Sequence, residues 1–276
     1  MTKSWLVTGS SRGLGRVLVK AILASGDRVA ATARKIEHLD DLAAQYGADK
    51  LLTLALDVTN VEQAHQVVTQ VKQTFGRIDV VVNNAGYADV ASIEDMTIDS
   101  FREQFETNFF GVVNITKAVL PILREQGSGH IMQVSSVGGR TGSPGLGSYQ
   151  SAKWAVGGFS TVLSREVAQL GIRVTVLEPG GMKTDWAGSS MGMGVISEPY
   201  RDSIAKFSAL RQKLSANWTD PALVAEAIVF IASVPEPPLR LLLGPDTPGV
   251  AATEAQAVAQ SDEKWRDVTM LKQWLS

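Results

Sequence analysis

Cysteine is absent from this 276-residue chain, which excludes disulfides, thiolate zinc sites and a cysteine nucleophile, and gives no hint of secretion. No apolar run approaches the roughly 20 residues that a membrane-spanning helix needs. The opening MTKSWLVTGS offers a run of only three apolar residues, so it is not read as a signal peptide, and the expected location is the cytoplasm. An excess of one charge is missing too. Lys and Arg number 26 against 28 Asp and Glu, a formal net charge of −2, and no basic stripe forms. Neither nucleic acid nor a membrane is therefore expected as a partner. The three histidines, His38, His65 and His130, share no metal-ligand spacing; they are assigned to surface or strand-end positions, and no metal is expected. Glu94 and Asp95 are read as solvated.

What the chain does hold is 45% hydrophobic residues, enough for one large domain with a full core. Apolar, β-branched runs at residues 4–8, 28–33, 51–56, 78–82, 131–136, 172–177 and 239–243 alternate with helical patterns. Repeated βα units of this kind imply an α/β class: a doubly wound parallel sheet between two helical layers, with the ligand at the C-terminal ends of the strands.

The first run passes straight into TGSSRGLG, residues 8–15, and then into an amphipathic segment, residues 16–24. Strand, glycine turn and helix follow one another. Gly9 permits the sharp turn, Gly13 lets the backbone approach a pyrophosphate, Gly15 lets helix and strand pack closely, and the helix N-terminus faces the phosphates. A glycine-rich turn without a ligand is the plainer alternative. The second strand ends at Ala33, followed by Arg34 and Lys35, where an enzyme that binds a ribose 2′-hydroxyl usually places an acid. That acid is missing, which favours a 2′-phosphate, although Arg34 also reads as an ordinary exposed loop cation.

The densest chemistry lies at residues 131–153. Ser148 is a candidate N-cap, so Tyr149 and Lys153 fall four residues apart on one face of a new helix. A tyrosine with a pKa near about 10 needs roughly 4 kcal/mol of preference for phenolate to exchange protons near neutral pH. An ammonium about 4 Å from the phenol oxygen supplies on the order of 4 kcal/mol at an effective dielectric near 20, and the helix N-terminus adds to it. Ser136, at the end of a strand, is placed to hydrogen-bond a substrate oxygen that Tyr149 also touches.

Ser136, twelve intervening residues and Tyr149-x-x-x-Lys153 resemble the active-site pattern of the short-chain dehydrogenase/reductase family, and the TGxxxGxG turn is that family's variant. The resemblance runs from about residue 4 to 184 with its motifs in order. It implies a Rossmann-type single domain and an NADP(H)-dependent oxidoreductase that interconverts a ketone or aldehyde and its alcohol. The cofactor cradle it implies comprises Gly9, Ser11, Arg12, Gly13, Leu14 and Gly15, with Arg12 joining Arg34 around the 2′-phosphate. Asp57 and Val58 would contact the adenine, and Asn84, Ala85 and Gly86 of the NNAG motif would lie beside the adenosine half. Pro179, Gly180 and Thr184 match PGxxxT, whose threonine anchors the nicotinamide carboxamide. Tyr149 and Lys153 also hold the cofactor. Residues 107–111 fit TN-x-x-G, in which Asn108 completes a proton relay through a water. Asn108 interrupts the buried stripe of Phe101, Phe105, Val112, Val119 and Leu123 on a long helix, residues 99–126, that Pro121 is expected to bend.

Beyond Thr184 the character changes. Trp186, Met191, Met193, Tyr200 and Phe207 are mixed with glycine and serine before Asp220 and Pro221 open another helix. Residues 181–216 are read as a lid over a hydrophobic substrate, the alternative being a small surface subdomain with a core of its own. The domain is taken as residues 1–248, and 249–276, with Trp265, Leu271 and Trp274, as an added helical tail. Phe109, Phe110, Val113, Trp154, Phe159 and Leu163 offer more apolar directions than one contact satisfies, and the family pairs these helices across a two-fold axis, so a homodimer is expected, with the tail covering the last strand's edge and blocking a tetramer. Two other functions stay open. One is a reductase of carrier-bound 3-oxoacyl chains, docked on Lys183, Arg201, Lys206 and Arg211. The other is a non-catalytic NADPH sensor.

Overall fold

The computed structural model describes residues 2–184 and 191–272; Trp186 and Trp274 lie outside them. Seven parallel strands form the main sheet: β1 (Ser4–Val7), β2 (Arg28–Ala33), β3 (Leu51–Ala55), β4 (Val80–Asn83), β6 (Gly129–Val134), β7 (Ile172–Pro179) and β9 (Arg240–Leu243), in the order β3-β2-β1-β4-β6-β7-β9. The order reverses between β1 and β4, the place where such sheets open a crevice at their C-terminal ends. Pairing is in register along each neighbour, as in Leu6 opposite Ala30 and Val81 opposite Ile131. A second, two-stranded sheet pairs β5 (Ala88–Val90) with β8 (Met191–Met193).

Alternation along the strands sends side chains into both helical layers, and for that reason the strands read as continuous apolar runs. Trp5, Val7, Val82 and Leu177 pack on α1 (Gly13–Ala24), α2 (Asp40–Gln45) and α8 (Pro221–Ile231). Leu6, Val81, Ile131 and Val174 pack on α3 (Val61–Phe75), α5 (Gly111–Gln126) and α6 (Gly147–Val167). The remaining helices are α4 (Ile98–Phe105), α7 (Glu198–Leu214), α9 (Thr247–Lys264) and α10 (Arg266–Thr269). Asp220 caps α8 by accepting from Ala222 N–H at 2.8 Å, as the Asp-Pro start implies.

Several expectations are corrected. The helix expected over residues 99–126 is α4 and α5 joined by a π-helical segment, Glu106–Phe110, which carries Asn108. Its buried face in α4 is Gln104 rather than Phe101 and Phe105, which are half-buried and stacked on each other. Ser148 is not the N-cap of α6. Leu146 holds that position, while Ser148 is buried in the first turn and accepts a 2.6 Å bond from Gln104 Nε2, the partner that a buried amide requires.

Glu94 is exposed and Asp95 half-buried, and both also make hydrogen bonds. Glu94 accepts from the Tyr200 hydroxyl, and Asp95 accepts from Ser92 Oγ and from Ser197 N–H, tying the start of α7 to the body. His38 and His65 are exposed, but His130 is fully buried, bonded to Thr175 Oγ1 at 2.9 Å. Burial, with the nearby Arg173 charge, pushes its pKa down to about 3. Met191, Tyr200 and Phe207 pack with Ile204 against Val90 and Leu146 of the body in a small third cluster. Helix α9 buries only Thr247 and Ala251 and reaches the body through Glu254, which accepts from Thr141 Oγ1 at 2.7 Å. The expected cover over the β9 edge is thus confined to its first turns, because the alanine-rich sequence has no apolar stripe to bury.

Candidate active site

One cleft at the C-terminal ends of β1, β2, β4, β6 and β7 gathers the motifs. Ser136 lines it with all the expected cofactor-binding residues except Gly15, which lies beneath the turn, and Asn108 lies behind it. Gly9 has φ +68°, and a Cβ on it would lie 2.8 Å from Ala85 Cα. A Cβ on Gly15 would lie 2.3 Å from the Gly9 carbonyl oxygen. The turn closes only because both side chains are missing. Gly13, at φ +54°, has nothing nearer than Thr184 Cβ at 4.0 Å, so its backbone faces open space in which a pyrophosphate fits.

The NNAG segment holds this turn in place. Asn84 Nδ2 donates to the carbonyls of Thr8 (2.9 Å) and Gly9 (3.1 Å), and Thr8 Oγ1 accepts from Asn84 N–H. Asn83 belongs to the core, donating to Gln133 Oε1 at 2.8 Å. At the far end of the cleft, Ala33 ends β2 and the exposed Arg12 and Arg34 flank the opening. Asp57 is the one acid among the described lining residues, and its Oδ1 accepts from Thr59 N–H and Oγ1 at 3.0 and 2.8 Å.

Tyr149 and Lys153 occupy adjacent turns at the start of α6, both buried. Lys153 Nζ donates to the Val134 carbonyl at 2.8 Å and lies 5.6 Å from the Tyr149 ring centroid. The expected dominance of the lysine charge is corrected: burial is the larger effect. It pushes the Tyr149 phenol up to about 12, opposed by a hydrogen bond with Ser136 and by the Arg211 charge, and pushes the Lys153 ammonium down to about 8. Ser136 Oγ also accepts from Gly138 N–H at 3.0 Å and donates to the Pro179 carbonyl at 3.4 Å.

Asn108 holds the backbone of Tyr87 on both sides of its Cα, Oδ1 accepting from Tyr87 N–H at 3.0 Å and Nδ2 donating to the Tyr87 carbonyl at 2.9 Å. The π-helical turn aims its amide inward. Gly86 makes room, since a Cβ there would lie 2.5 Å from Asn108 Oδ1.

Sequence reasoning missed Tyr87, Ser135 and Met182, which also line the cleft with Thr107 of the TN-x-x-G motif. Each neighbours a motif residue, and adjacency was the available signal. Burial, with the charges of Asp89 and Glu103, raises the Tyr87 pKa, and the Arg34 charge opposes the rise. No group of His, Cys, Asp and Glu among the described residues could hold a metal ion, and no described helix is long and apolar enough to cross a membrane.

A glycine turn at the switch point and a Ser-Tyr-Lys set in one cleft define a class, the dinucleotide-binding oxidoreductases of Rossmann type. The family model for short chain dehydrogenases matches residues 3–192. An oxidoreductase of Botryotinia fuckeliana, BOA17, is 53% identical over 271 residues, covering 98% of this chain and 99% of that one. Among solved structures, a short-chain dehydrogenase from Streptomyces avermitilis aligns with TM-score 0.90 at 36% identity, covering 98% of both chains. An alcohol dehydrogenase from Thermococcus sibiricus, complexed with 5-hydroxy-NADP, aligns with TM-score 0.75 at 26% identity, covering 90% of this chain and 98% of that one. The chain belongs to the short-chain dehydrogenase/reductase family and is an oxidoreductase that uses a nicotinamide cofactor.

Proposed function

We propose that the protein is an NADP(H)-dependent carbonyl reductase or alcohol dehydrogenase acting on a hydrophobic ketone or aldehyde and its alcohol. The observation that carries the reading is the cleft itself, with the phenol of Tyr149 and the hydroxyl of Ser136 at one end and two exposed guanidinium groups at the other. When bound, the dinucleotide supplies or accepts the hydride. The turn from Gly9 to Gly15, through Ser11, Arg12, Gly13 and Leu14, would hold its pyrophosphate, and Arg12 and Arg34 its 2′-phosphate. Asp57 and Val58 would meet the adenine, Asn84, Ala85 and Gly86 would back the adenosine half, and Pro179, Gly180 and Thr184 would face the nicotinamide. Selectivity for NADP is supported by the missing acid after Ala33 and by the hold of Thr59 on Asp57.

Tyr149 would give its proton to the carbonyl oxygen during reduction, and Ser136 would orient that oxygen. Burial keeps the phenol protonated, which suits a proton donor, and the Ser136 hydroxyl, turned from the Pro179 carbonyl toward Tyr149, would favour the phenolate left behind. Lys153 would hold the ribose and hand protons onward, with Asn108 completing the relay beside Tyr87. The hydrophobic substrate is supported by Met182 in the cleft and by Met193 and Val195, exposed on the proposed lid, residues 181–216. A homodimer is supported by the exposed Phe110, Trp154 and Val162, whereas Phe109, Phe159 and Leu163 are at least half-buried within the chain. The test is NADPH consumption against a panel of ketones and aldehydes, steroids and retinoids included. Turnover of an apolar member supports the reading, and tight NADPH binding without turnover of any member contradicts it.

A further inference from the structure

Directly under α6 lies a charge cluster that the reaction above does not use. Glu178 is fully buried in β7, one residue before Pro179. Its Oε1 accepts from Arg240 Nη1 at 2.8 Å, and its Oε2 lies 2.5 Å from Arg140 Nη2. Arg240 opens β9, and Arg140 ends the short turn that begins at Ser136. One carboxylate therefore joins the turn, the strand that leads to Pro179 and the last strand of the sheet.

Two glycines admit this arrangement. Gly157 follows Lys153 by one helical turn, and a Cβ on it would lie 2.9 Å from Arg240 Nη2. Tyr149, Lys153 and Gly157 thus share one face of α6, four residues apart, and Arg240 lies against the last of them. Gly139 sits in the turn itself, where a Cβ would lie 2.8 Å from Ser135 Oγ and 3.0 Å from the Lys153 carbonyl oxygen. The turn is pressed on the very helix that carries Tyr149.

Burying a carboxylate between two cations is poor value for stability alone, because apolar side chains of similar volume stabilise as well. Direction is what the ions add. Arg140 N–H donates to the Val137 carbonyl and Gly139 N–H to the Ser136 carbonyl, so the position of Arg140 sets the winding of the turn. That winding aims Ser136 Oγ, which touches the Pro179 carbonyl, Gly138 N–H and the Tyr149 phenol.

We propose that Glu178, acting through Arg140 and Arg240, is a positioning residue that holds the turn 136–140 so that the Ser136 hydroxyl stays aimed at Tyr149. The catalytic consequence rests on the roles given above to Ser136 and Tyr149; the clamp itself does not. The side chain of Gln fills the same space without the charge, so Glu178→Gln in the full-length protein is the informative variant.

Backbone amides of residues 136–140 are expected to exchange with deuterium at least about tenfold faster in this variant, while those of β1 and α1 keep their rates. With the ketone that the parent reduces fastest, kcat is expected to fall about tenfold to a hundredfold with KM and NADPH affinity within about threefold. In alcohol oxidation, which needs the phenolate, the midpoint of the pH–rate profile should move to higher pH, a change that loss of stability alone does not produce. Arg140→Lys should recover most of what Arg140→Met loses, and this half-exposed position carries the test if Glu178→Gln does not fold. Unchanged exchange at residues 136–140 overturns the clamp whatever the activity. Faster exchange with an unmoved kcat and pH midpoint overturns its role in positioning Ser136. A parent that reduces no ketone refutes the proposed reaction instead, and the exchange rates still decide the clamp.

Discussion

Lys153 donates its buried ammonium to the carbonyl of Val134, 2.8 Å away at the end of β6, so the helix that carries Tyr149 is stapled to the strand that leads to Ser136. The bond satisfies one donor, yet burial still pushes the ammonium down from 10.5 to about 8.

This shift predicts a pH dependence of stability. The folded-state pKa of Lys153 is lower than the unfolded one, so between about pH 8 and 10.5 the unfolded chain binds more protons and stability rises with pH. Tyr149, raised from 10.0 to about 12, acts oppositely above pH 10. The cofactor-free protein should therefore gain on the order of 2 kcal/mol from Lys153 between pH 8 and 10. Denaturant unfolding of the parent and of Lys153→Met checks it, and an equal pH slope in both contradicts the assignment.

Asn108 predicts a structural penalty. Replacing it with Ala removes both bonds to Tyr87 and leaves that residue's N–H and carbonyl unsatisfied, at a cost of about 2–4 kcal/mol. Urea unfolding measures this directly; a loss under about 0.5 kcal/mol would show that water replaces the amide without strain.

Arg34 predicts cofactor selectivity. Charged hydrogen bonds contribute about 1.5–3 kcal/mol each, so Arg34→Ala should weaken NADPH about tenfold to a hundredfold and leave NADH nearly untouched. Titration by intrinsic fluorescence compares the two, and equal losses would sink the 2′-phosphate assignment.

Assembly predicts a mass. Phe110 is 44% exposed, Trp154 53% and Val162 57%, and the proposed pairing across a two-fold axis would cover all three. Light scattering should find a dimer of the full chain and a tetramer of a truncation ending near Pro248, which frees the edge of β9. A full-length monomer contradicts the helix pairing, and a full-length tetramer contradicts the blocking role of the tail.

The sheet was legible in the sequence because a strand buried on both faces is written as an unbroken apolar run, as Leu6 and Val7 show by pointing into opposite layers. The cleft was legible because glycines and the Tyr-Lys pair are spaced by local geometry. What stayed hidden depends on long-range partners. Ser148 reads as a cap until Gln104, forty-four residues away, claims its hydroxyl. No periodicity announces the π-helical turn at Asn108, since one added residue per turn leaves the apolar pattern on both sides intact. Glu178 reads as an ordinary strand-end acid until Arg140 and Arg240 arrive from distant segments. The Lys153 charge was given too much weight because spacing shows proximity and not desolvation.

The measurement that bears most directly on the central claim is steady-state turnover of Tyr149→Phe with NADPH and the ketone that the parent reduces fastest, alongside NADPH affinity by titration. Removing only the phenol oxygen should abolish turnover while affinity stays within about threefold, and Lys153→Ala should damage both. Activity of the Phe variant comparable to the parent would show that Tyr149 is not the proton donor.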